Sequence, residues 1–209
     1  SICFVEDFFI EEGKGRISAI ELWEDKHEFL GVVLEEDFHL SFPFIFMDGD
    51  QIYMVPESHQ SKQIRLYRCD EFPKKWVFER TLMENVSAAD TVIIKKDDFW
   101  FMLSNIDSAE IIDHNSELHI FYSKDLLTND WSPLDSGNPV IFDSQRARNG
   151  GIFIHDGKLI RVGQQHNKSI YGSAFTLNEV IELSPRRYEE KQIDKILPQF
   201  KKEILATHH

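Results

Sequence analysis

A β-hairpin is predicted by the stretch His39-Leu40-Ser41-Phe42-Pro43-Phe44-Ile45-Phe46-Met47-Asp48-Gly49-Asp50-Gln51-Ile52-Tyr53-Met54-Val55-Pro56-Glu57-Ser58. Its residues 42–47 form an apolar run of strand length, and residues 51–55 are rich in residue types that favour strands. Between them, Asp48-Gly49-Asp50 supplies a turn, because glycine and aspartate both accept left-handed backbone conformations. Pro56-Glu57 ends the second strand and leaves a carboxylate at its tip.

Two later segments repeat this order of strand, polar turn and strand. They are residues 90–103 and residues 151–162, and the second of them has the turn Asp156-Gly157. Short strands that recur with turn signals between them are typical of all-β sandwiches and propellers. The repeated hairpin therefore places the chain in the all-β class.

Aromatic residues recur at a fixed spacing, which favours a propeller over tandem hairpins in a sandwich. Nine residues separate Tyr67 from Trp76. Nine residues also separate Tyr122 from Trp131, and the two copies lie 55 residues apart. A period of about 50 residues with about four strands in each unit is the pattern of propeller blades. We expect both tryptophans on outer strands, in equivalent places, packed against their tyrosines.

Both ends of the sequence depart from the regular pattern. Residues 2–5, 16–22 and 28–34 are predicted strands, and together they leave the first blade without its opening strand. Ser184-Pro185 is a helix start signal, because serine caps a helix and proline fits its first position. For the segment that follows, up to residue 197, a short helix and an extended tail both remain open.

Composition excludes several functional classes. The net charge of −13 argues against binding to nucleic acid backbones or to anionic membranes. There is no apolar run long enough for a membrane span and no signal peptide. The two cysteines, Cys3 and Cys69, predict a reducing, cytoplasmic location. Nine histidines invite a metal site, but their spacings match no ligand pattern, so neither a metal nor another cofactor is expected.

Alignment of the hairpins by their turns brings a set of polar residues to equivalent strand ends. Asp90 opens an inner strand, and Arg148 is expected to do the same in the next blade. At the ends of the second strands, Glu57 matches Asn105 and Gln164. The predicted ring around one axis consists of Glu6, Glu57, Asp90, Arg148 and Gln164. Paired carboxylates suit glycoside hydrolysis, and an adjacent arginine favours the ionised form; equally, these carboxylates could bond to backbone N–H groups and only join blades.

A family resemblance rests on a set of short motifs. These are His39-Leu40-Ser41-Phe42-Pro43-Phe44, Tyr53-Met54-Val55-Pro56-Glu57, Ile64-Arg65-Leu66-Tyr67-Arg68, Phe72-Pro73-Lys74-Lys75-Trp76, Ala89-Asp90, Arg146-Ala147-Arg148, Tyr171-Gly172 and Ala206-Thr207-His208. In combination, they resemble the propeller domain of the glucosamine inositolphosphorylceramide transferase N-terminal family over nearly the whole chain. That family is similar in fold to glycoside hydrolase family 43 and the invertases. The resemblance implies a five-bladed β-propeller type, of which about four blades are present here, the first incomplete.

The resemblance also defines the expected domain and its relatives. Residues 1–209 are expected to form a single propeller-like domain, a fragment without the opening strand of the first blade and without the closing segment. Plant members of the family carry this domain ahead of a glycosyltransferase domain. Bacterial members occur in polysaccharide gene neighbourhoods, some beside sugar formyltransferase domains. A glycosyltransferase or sugar-modifying domain is therefore the expected protein partner.

Three departures from the family pattern weaken the hypothesis that the chain is a glycoside hydrolase. The family's Ala-Asp-Pro-Phe-like opening strand, whose Asp corresponds to the hydrolases' base, is not matched, and Asp7 does not replace it. Arg148-Asn149-Gly150-Gly151 stands where relatives have Arg-Pro-Ala-Gly. Gln164-Gln165 stands where they have Gln-Asp, which leaves one carboxylate fewer.

Three functional hypotheses follow. The first is a carbohydrate-recognising domain in glycan or glycolipid biosynthesis, as part of or partner to a glycosyltransferase. The second is a glycoside hydrolase of the family 43 type, and the third is a structural scaffold. The predicted catalytic residues are Glu57 and Asp90. The predicted substrate-binding residues are Glu6, His39, Arg148, Gln164 and Tyr171. A sugar or glycan is the expected ligand.

Overall fold

Four β-sheets make up the part of the chain that the computed structural model describes, residues 1–166 and 172–198. No α-helix occurs in these residues. The chain divides into two compact units, Ser1–Ala88 and Ala89–His209, and each of them holds two of the sheets. The predicted all-β class and the predicted repetition of one sheet pattern are both confirmed.

The first unit contains a three-stranded sheet and a four-stranded sheet. The three-stranded sheet has the order β1 (Ile2–Phe9), β2 (Lys14–Leu22) and β3 (His27–Leu34). The four-stranded sheet has the order β4 (Ser41–Asp48), β5 (Gln51–Glu57), β6 (Gln63–Glu71) and β7 (Lys75–Glu84). A 3-10 turn at His59–Ser61 connects β5 to β6. The prediction that the first blade is one strand short is confirmed.

The second unit contains the two remaining sheets. One has β8 (Ala88–Lys96), β9 (Phe99–Ile106), β10 (Glu117–Ser123) and β11 (Ser132–Pro133) as successive neighbours, and β12 (Ile141–Phe142) also pairs with β10. The other has the order β13 (Asn149–His155), β14 (Lys158–Gln165), β15 (Ala174–Leu183) and β16 (Tyr188–Ile196). Apart from β12, which pairs with β10, the strands of each sheet follow the chain order of a meander, in which consecutive strands pair.

Apolar side chains from several strands form the core of the first unit. Ile17 on β2, Met54 on β5 and Tyr67 on β6 are all buried, and so are Leu34, Leu40 and Trp76 around them. Phe4 on β1 packs against this cluster. Because the residues of a strand alternate between its two faces, this packing fixes the register of each strand. The register in turn fixes where the polar strand ends lie.

The segment after Ser184 is a strand, so the helix that its start signal allowed does not form. Ser184 Oγ accepts the backbone N–H of Arg187 at 3.3 Å, which is the interaction expected of a helix N-cap. The chain nevertheless turns back, and β16 pairs with β15 from Leu183↔Tyr188 to Phe175↔Ile196. Pairing along a whole strand outweighs a single cap, because it satisfies many more backbone groups.

The repeated tryptophans occupy similar places. Trp76 lies on β7, and Trp131 directly precedes β11, which are the outermost strands of their sheets. The indole N–H of Trp76 donates to the carbonyl of Pro73 at 2.9 Å. The indole N–H of Trp131 donates in the same way, three residues back, to Thr128 at 3.1 Å.

The tyrosines of the repeat pack edge-on against phenylalanine rings. Tyr67 lies against Phe78, with centroids 5.9 Å apart. Tyr122 lies against Phe99 at 5.6 Å. Tyr67 and Trp76 belong to the same buried cluster, so the spacing of nine positions marks a shared local structure.

Candidate functional site

Left-handed backbone occurs at equivalent places of two inner strands. Phe42 (φ 41°) on β4 lies seven residues before the turn residue Gly49, and Asp90 (φ 47°) on β8 lies seven residues before Asp97. Such angles are uncommon for residues other than glycine, and for a bulky residue they are genuine outliers. In β4 the pairing with β5 also shifts between Ser41 and Phe44. The inner strands therefore break their regular pairing near the start, and in β8 the residue at this position is a carboxylate.

Asp90 forms a forked ion pair with Arg148 inside the second unit. Arg148 Nε donates to Asp90 Oδ2 at 2.6 Å, and Arg148 Nη2 donates to Asp90 Oδ1 at 3.4 Å. The Asp90 side chain is 1% exposed and that of Arg148 is 14% exposed. Arg148 Nη1 also donates to Asn115 Oδ1 at 3.1 Å, which ties the loop between β9 and β10 to the pair. Charge-assisted bonds of this geometry are among the stronger hydrogen bonds in proteins.

Gln164, near the end of β14, completes this cluster with an amide. Its Nε2 donates to Asp90 Oδ2 at 3.1 Å and to the carbonyl of Asn149. Both contacts need the amide nitrogen, so the amide oxygen must face the other way. That oxygen, Oε1, is buried and accepts no hydrogen bond from any described residue. A buried acceptor without a donor costs free energy, and a ligand hydroxyl would satisfy it.

Two asparagines connect the cluster to the strands around it. Asn149 Nδ2 donates to the carbonyls of Asp90 at 2.9 Å and Leu103 at 3.1 Å. Asn105 Oδ1 accepts the backbone N–H of Asn149 at 2.8 Å, and Asn105 Nδ2 donates to the carbonyl of Ala147 at 3.0 Å. Both asparagines are fully buried. Their amides join β9 and β13, so the polar cluster rests on a rigid base.

A second ion pair, between Arg161 on β14 and Glu190 on β16, is buried in the same sheet. Arg161 Nε donates to Glu190 Oε2 at 2.7 Å, and Nη2 donates to Oε1 at 2.8 Å. Burial alone would raise the pKa of Glu190, but Arg161 and the Tyr188 hydroxyl lower it. Burial alone would lower the pKa of Arg161, but Tyr188 and Glu190 raise it. Both groups are therefore charged at neutral pH.

In the first unit, two histidine–glutamate pairs form a separate polar cluster. His59 Nδ1 and Glu57 Oε1 lie 2.8 Å apart, and His39 Nε2 and Glu6 Oε1 lie 3.5 Å apart. The two imidazole rings are 6.4 Å apart. His39 Nδ1 accepts the backbone N–H of Gly15 at 2.9 Å, so a neutral His39 ring carries its proton on Nε2, facing Glu6.

Within this cluster, the Glu6 carboxyl group has a shifted pKa. Its pKa is raised, mainly by burial; His39 opposes the rise, and the nearby carboxylate of Glu57 adds to it. Gly15 leaves no space beside these groups. A Cβ there would lie 2.5 Å from the carbonyl of Leu40 and 3.0 Å from Glu6 Oε1. A glycine is therefore required for β2 to approach His39 and Glu6 this closely.

The predicted site residues fall into two sets. Glu6, His39 and Glu57 share one cluster in the first unit, and Asp90, Arg148 and Gln164 share another in the second unit. Tyr171 lies outside the described residues. That Glu57 and Asp90 face one cavity stays a prediction, as do the catalytic and substrate-binding roles of all these residues.

Arg148 does not hold the strand position that the turn alignment gave it. Asn149 lies seven residues before the turn residue Asp156 and pairs with Gly163, so it is the counterpart of Asp90 and Phe42. Arg148 lies one residue earlier. The expected alignment was therefore one residue out of register for Arg148, since the count of seven residues that places Phe42 and Asp90 reaches Asn149 in this hairpin.

Several residues of these clusters have no predicted role from the sequence patterns. His59, Asn115, Asn149, Arg161 and Glu190 all contact the predicted residues or support them. A strict count back from each turn would have found Asn149. No local signal marks Arg161 and Glu190, because they lie on strands β14 and β16, 29 positions apart in sequence.

Neither a metal site nor a membrane helix is found in the described part of the chain. Within residues 1–166 and 172–198, no group of three or more His, Cys, Asp or Glu side chains is arranged to hold a metal ion. In the same residues, no helix has the length and hydropathy that a membrane span requires.

Residues 14–207 match the family model described as glucosamine inositolphosphorylceramide transferase 1, N-terminal. The chain is 35% identical over 178 residues to glucosamine inositolphosphorylceramide transferase 1 of Oryza sativa subsp. japonica, with 84% of this chain and 23% of the relative covered. It is 34% identical over 168 residues to the Arabidopsis thaliana protein of the same name, with 78% of this chain and 21% of that protein covered. The chain thus spans less than a quarter of the length of these relatives.

Solved structures of glycoside hydrolases have a similar fold. The exo-β-1,3-galactanase of Clostridium thermocellum superposes with a TM-score of 0.67 at 15% identity, covering 87% of this chain and 43% of that chain. A thermostable family-43 glycoside hydrolase gives a TM-score of 0.64 at 14% identity, with 94% and 72% covered. These structures confirm the predicted fold class, and at this identity they show the fold alone.

Proposed function

The chain belongs to the glucosamine inositolphosphorylceramide transferase N-terminal family, and from this premise we propose that it is a carbohydrate-recognising domain. It serves glycan or glycolipid biosynthesis as part of, or partner to, a glycosyltransferase. The relatives' name supports this role, because a glucosamine inositolphosphorylceramide transferase acts on a sugar and a glycolipid. The chain covers a fraction of those proteins, so recognition is the activity assigned to this part.

The observation that carries the proposal is the amide of Gln164 beside Asp90 and Arg148. Gln164 Oε1 is a buried acceptor without a donor among the described residues, and it belongs to the same amide that contacts Asp90. Sugar hydroxyls both donate and accept hydrogen bonds. One hydroxyl would donate to Gln164 Oε1, and a neighbouring hydroxyl would accept from Arg148, whose guanidinium is the more exposed member of the ion pair.

The second cluster, in the first unit, has the same chemical character. Glu57 is nearly buried and held by His59, while Glu6 is more exposed and faces His39. Carboxylates and imidazoles in fixed positions accept and donate hydrogen bonds to vicinal diols, as the amide cluster does. Each unit, taken by itself, therefore has one set of oriented polar groups that a sugar could contact.

A glycoside hydrolase of the family 43 type is the alternative function, and the fold likeness favours it. Such an enzyme needs an acid and a base or nucleophile, for which Glu57 and Asp90 are the candidates. Asp90 is 1% exposed, and both its oxygens accept bonds from Arg148, which suits a fixed anchor better than a group that exchanges protons. Recognition is therefore the better-supported function.

Calorimetric titration with glucosamine, galactose, xylose and arabinose tests the proposal, with Asp90→Asn as the site variant. The expected result is saturable binding of at least one sugar by the wild-type chain and a loss of affinity of about tenfold or more in the variant. Asp90→Asn also leaves Arg148 without its charged partner, so we expect it to lower the free energy of unfolding by about 1–3 kcal/mol. Titrations are run well below the melting temperature of both proteins.

Asp70→Asn is the matched control. Asp70 is also a carboxylate held by cations, Arg68 at 2.7 Å and Lys75 at 2.9 Å, but it lies at the outer end of β6. This variant should bind sugar like the wild type. Equal affinity of Asp90→Asn and wild type would contradict the proposal, and release of nitrophenol from aryl xylosides or arabinofuranosides would favour the hydrolase.

We further propose that the domain works in the cytoplasm. Cys3 and Cys69 are both free thiols, which suits a reducing compartment. Fractionation of cells that express the tagged chain tests this location, and recovery in a secreted or membrane fraction would contradict it.

A further inference from the structure

The buried pair of Arg161 and Glu190 is costly for a protein interior. Their side chains are 0% and 3% exposed. Two charges removed from water lose much of their solvation, and packing alone is served as well or better by apolar residues of similar volume. The stability of the sheet that contains β14 and β16 therefore does not explain why this position holds a charged pair.

Arg161 contacts residues on both sides of Arg148, the backbone carbonyls before it and the side chain of Asn149 after it. Besides its bonds to Glu190, Arg161 Nη2 donates to the carbonyl of Arg146 at 2.8 Å. Arg161 Nη1 lies 3.4 Å from the carbonyl of Ala147 and 3.3 Å from Asn149 Oδ1, and donates to both. A guanidinium offers five N–H donors in a planar fork, so one side chain reaches the acceptors before and after Arg148 at once.

Asn105 and Gln164 also hold this segment. Asn105 donates to the carbonyl of Ala147 and accepts the N–H of Asn149. The backbone N–H of Gln164 donates to the carbonyl of Arg148 at 2.8 Å. Every residue from 146 to 149 thus has a fixed backbone contact. The Arg148 side chain extends from this segment to Asp90 and Asn115.

We propose that Arg161, oriented by Glu190, is a positioning residue that sets the Arg148 guanidinium against Asp90. Glu190 accepts one N–H from Nε and one from Nη2 of Arg161. These bonds orient the remaining N–H groups of Arg161 toward residues 146–149. Without this fork the segment loses its fixed contacts on one side, and Arg148 samples other rotamers. The part of this inference that concerns sugar affinity rests on the proposed function; the geometry of Arg148 itself does not.

The test replaces the pair by apolar residues in the double variant Arg161→Met/Glu190→Leu, which keeps the volume without leaving a lone buried charge. Two quantities are measured on the full chain. The first is the hydrogen exchange rate of the Arg148 Nε–H in a ¹⁵N spectrum, assigned by its loss in Arg148→Lys. The second is the dissociation constant for glucosamine. We expect the exchange rate and the dissociation constant each to rise by about tenfold.

The matched control is Arg187→Met/Glu182→Leu. This arginine–glutamate pair has a contact of 2.6 Å, against 2.7 Å for Arg161 and Glu190, and it lies at the end of the same sheet, but its side chains are 59% and 32% exposed. It should leave both measurements at their wild-type values. A folded Arg161→Met/Glu190→Leu protein with wild-type exchange at Arg148 would overturn the proposal.

Arg161→Lys keeps the test decisive if the double variant does not fold. Lysine retains the charge opposite Glu190 but has a single nitrogen, which cannot reach the acceptors on both sides of Arg148. Faster Arg148 Nε–H exchange in this variant supports the proposal, and unchanged exchange overturns it. If the wild type binds none of the four sugars, the proposed function loses its support, while the exchange measurement still decides the role of Arg161.

Discussion

The same left-handed backbone conformation holds a packed aromatic ring at Phe42 and a hydrogen-bonded carboxylate at Asp90. Aspartate tolerates this conformation, and at Asp90 it brings the carboxylate to Arg148 and Gln164. Phenylalanine does not tolerate it well, and such strain costs on the order of 1–3 kcal/mol. The strain at Phe42 persists because packing around a nearly buried ring fixes it. The conformation is thus a feature of the repeated strand, and the residue type decides whether a polar group stands at this position.

At the same scale, Glu57→Gln should lower the pKa of Glu6. Burial is the main cause of the raised pKa of Glu6, and the charge of Glu57 adds to it. Removal of that charge leaves burial and the opposing effect of His39 in place. A ¹³C-detected titration of the Glu6 carboxyl carbon measures the change, with Glu12→Gln as a control that should leave the titration of Glu6 as it is. A rise in the pKa of Glu6 would contradict this account.

The raised pKa of Glu6 also predicts a dependence of stability on pH. The folded chain holds the Glu6 proton more tightly than the unfolded chain does. The free energy of unfolding therefore falls as pH rises from the ordinary value of 4.5 through the raised one. In Glu6→Gln this fall should be absent. Thermal unfolding of both proteins between about pH 4 and pH 7 checks it, and parallel curves would show that Glu6 is not responsible.

At the scale of elements, close approach of strands places the first cluster. Gly15 on β2 lies where a Cβ would meet the carbonyl of Leu40 at 2.5 Å and His39 Cε1 at 2.8 Å. The backbone atom cannot move aside as the end of a flexible side chain would. The hydrogen bond from Gly15 to His39 thus exists because the residue at this position has no side chain.

Gly15→Ala should therefore lower the free energy of unfolding by about 1–3 kcal/mol, as overpacking does, and should separate His39 from Glu6. Chemical denaturation measures the first effect, and the His39 Nε2–H resonance reports the second. Gly13→Asn is the control in the same hairpin. Gly13 has φ +62° and open space around it, and asparagine accepts this conformation. If both variants lose the same stability, the close approach is not the cause.

Some strands could be predicted from the sequence alone, but β16 could not. The hairpins β4–β5, β8–β9 and β13–β14 follow from turn residues and apolar runs, and so does the missing strand of the first sheet. β16 could not be separated from a helix, because Ser184 makes the same N–H contact in either structure. The outcome depends on β15, a partner that a local pattern does not contain.

For the molecule as a whole, the sequence identified the family and the class of fold, and it grouped most of the polar residues that the clusters contain. A count of seven residues back from the turn placed Asp90 near the start of the first strand of its hairpin. A count of seven residues forward from the turn placed Gln164 near the end of the second strand of its hairpin. The alignment by turns placed Arg148 one residue away from the position equivalent to Asp90, which the same count gives to Asn149. It could not find Arg161 and Glu190, because a buried ion pair across two strands has no signature within either strand.

The net charge of −13 predicts that salt stabilises the whole chain. Like charges repel in the compact state, and salt screens them over about 10 Å at 0.1 M. We expect the melting temperature to rise by a few degrees between about 10 mM and 150 mM sodium chloride. Sucrose at equal osmolality separates screening from solute exclusion. A melting temperature that falls with salt would mean that attractive ion pairs outweigh the net repulsion.

The hydrogen bonds of Asn149 also affect how the protein ages. Asparagine followed by glycine is the sequence that loses ammonia most readily, when the nitrogen of Gly150 attacks the side-chain carbonyl. Here that amide is engaged on both sides, with its nitrogen on the carbonyls of Asp90 and Leu103 and its oxygen on Arg161. Ammonia can leave only from molecules in which this segment has opened. Water then opens the cyclic imide to aspartate or isoaspartate, whose carboxylate would face two carbonyls as an acceptor, so each such event would permanently break the hydrogen bonds of Asn149 in one molecule.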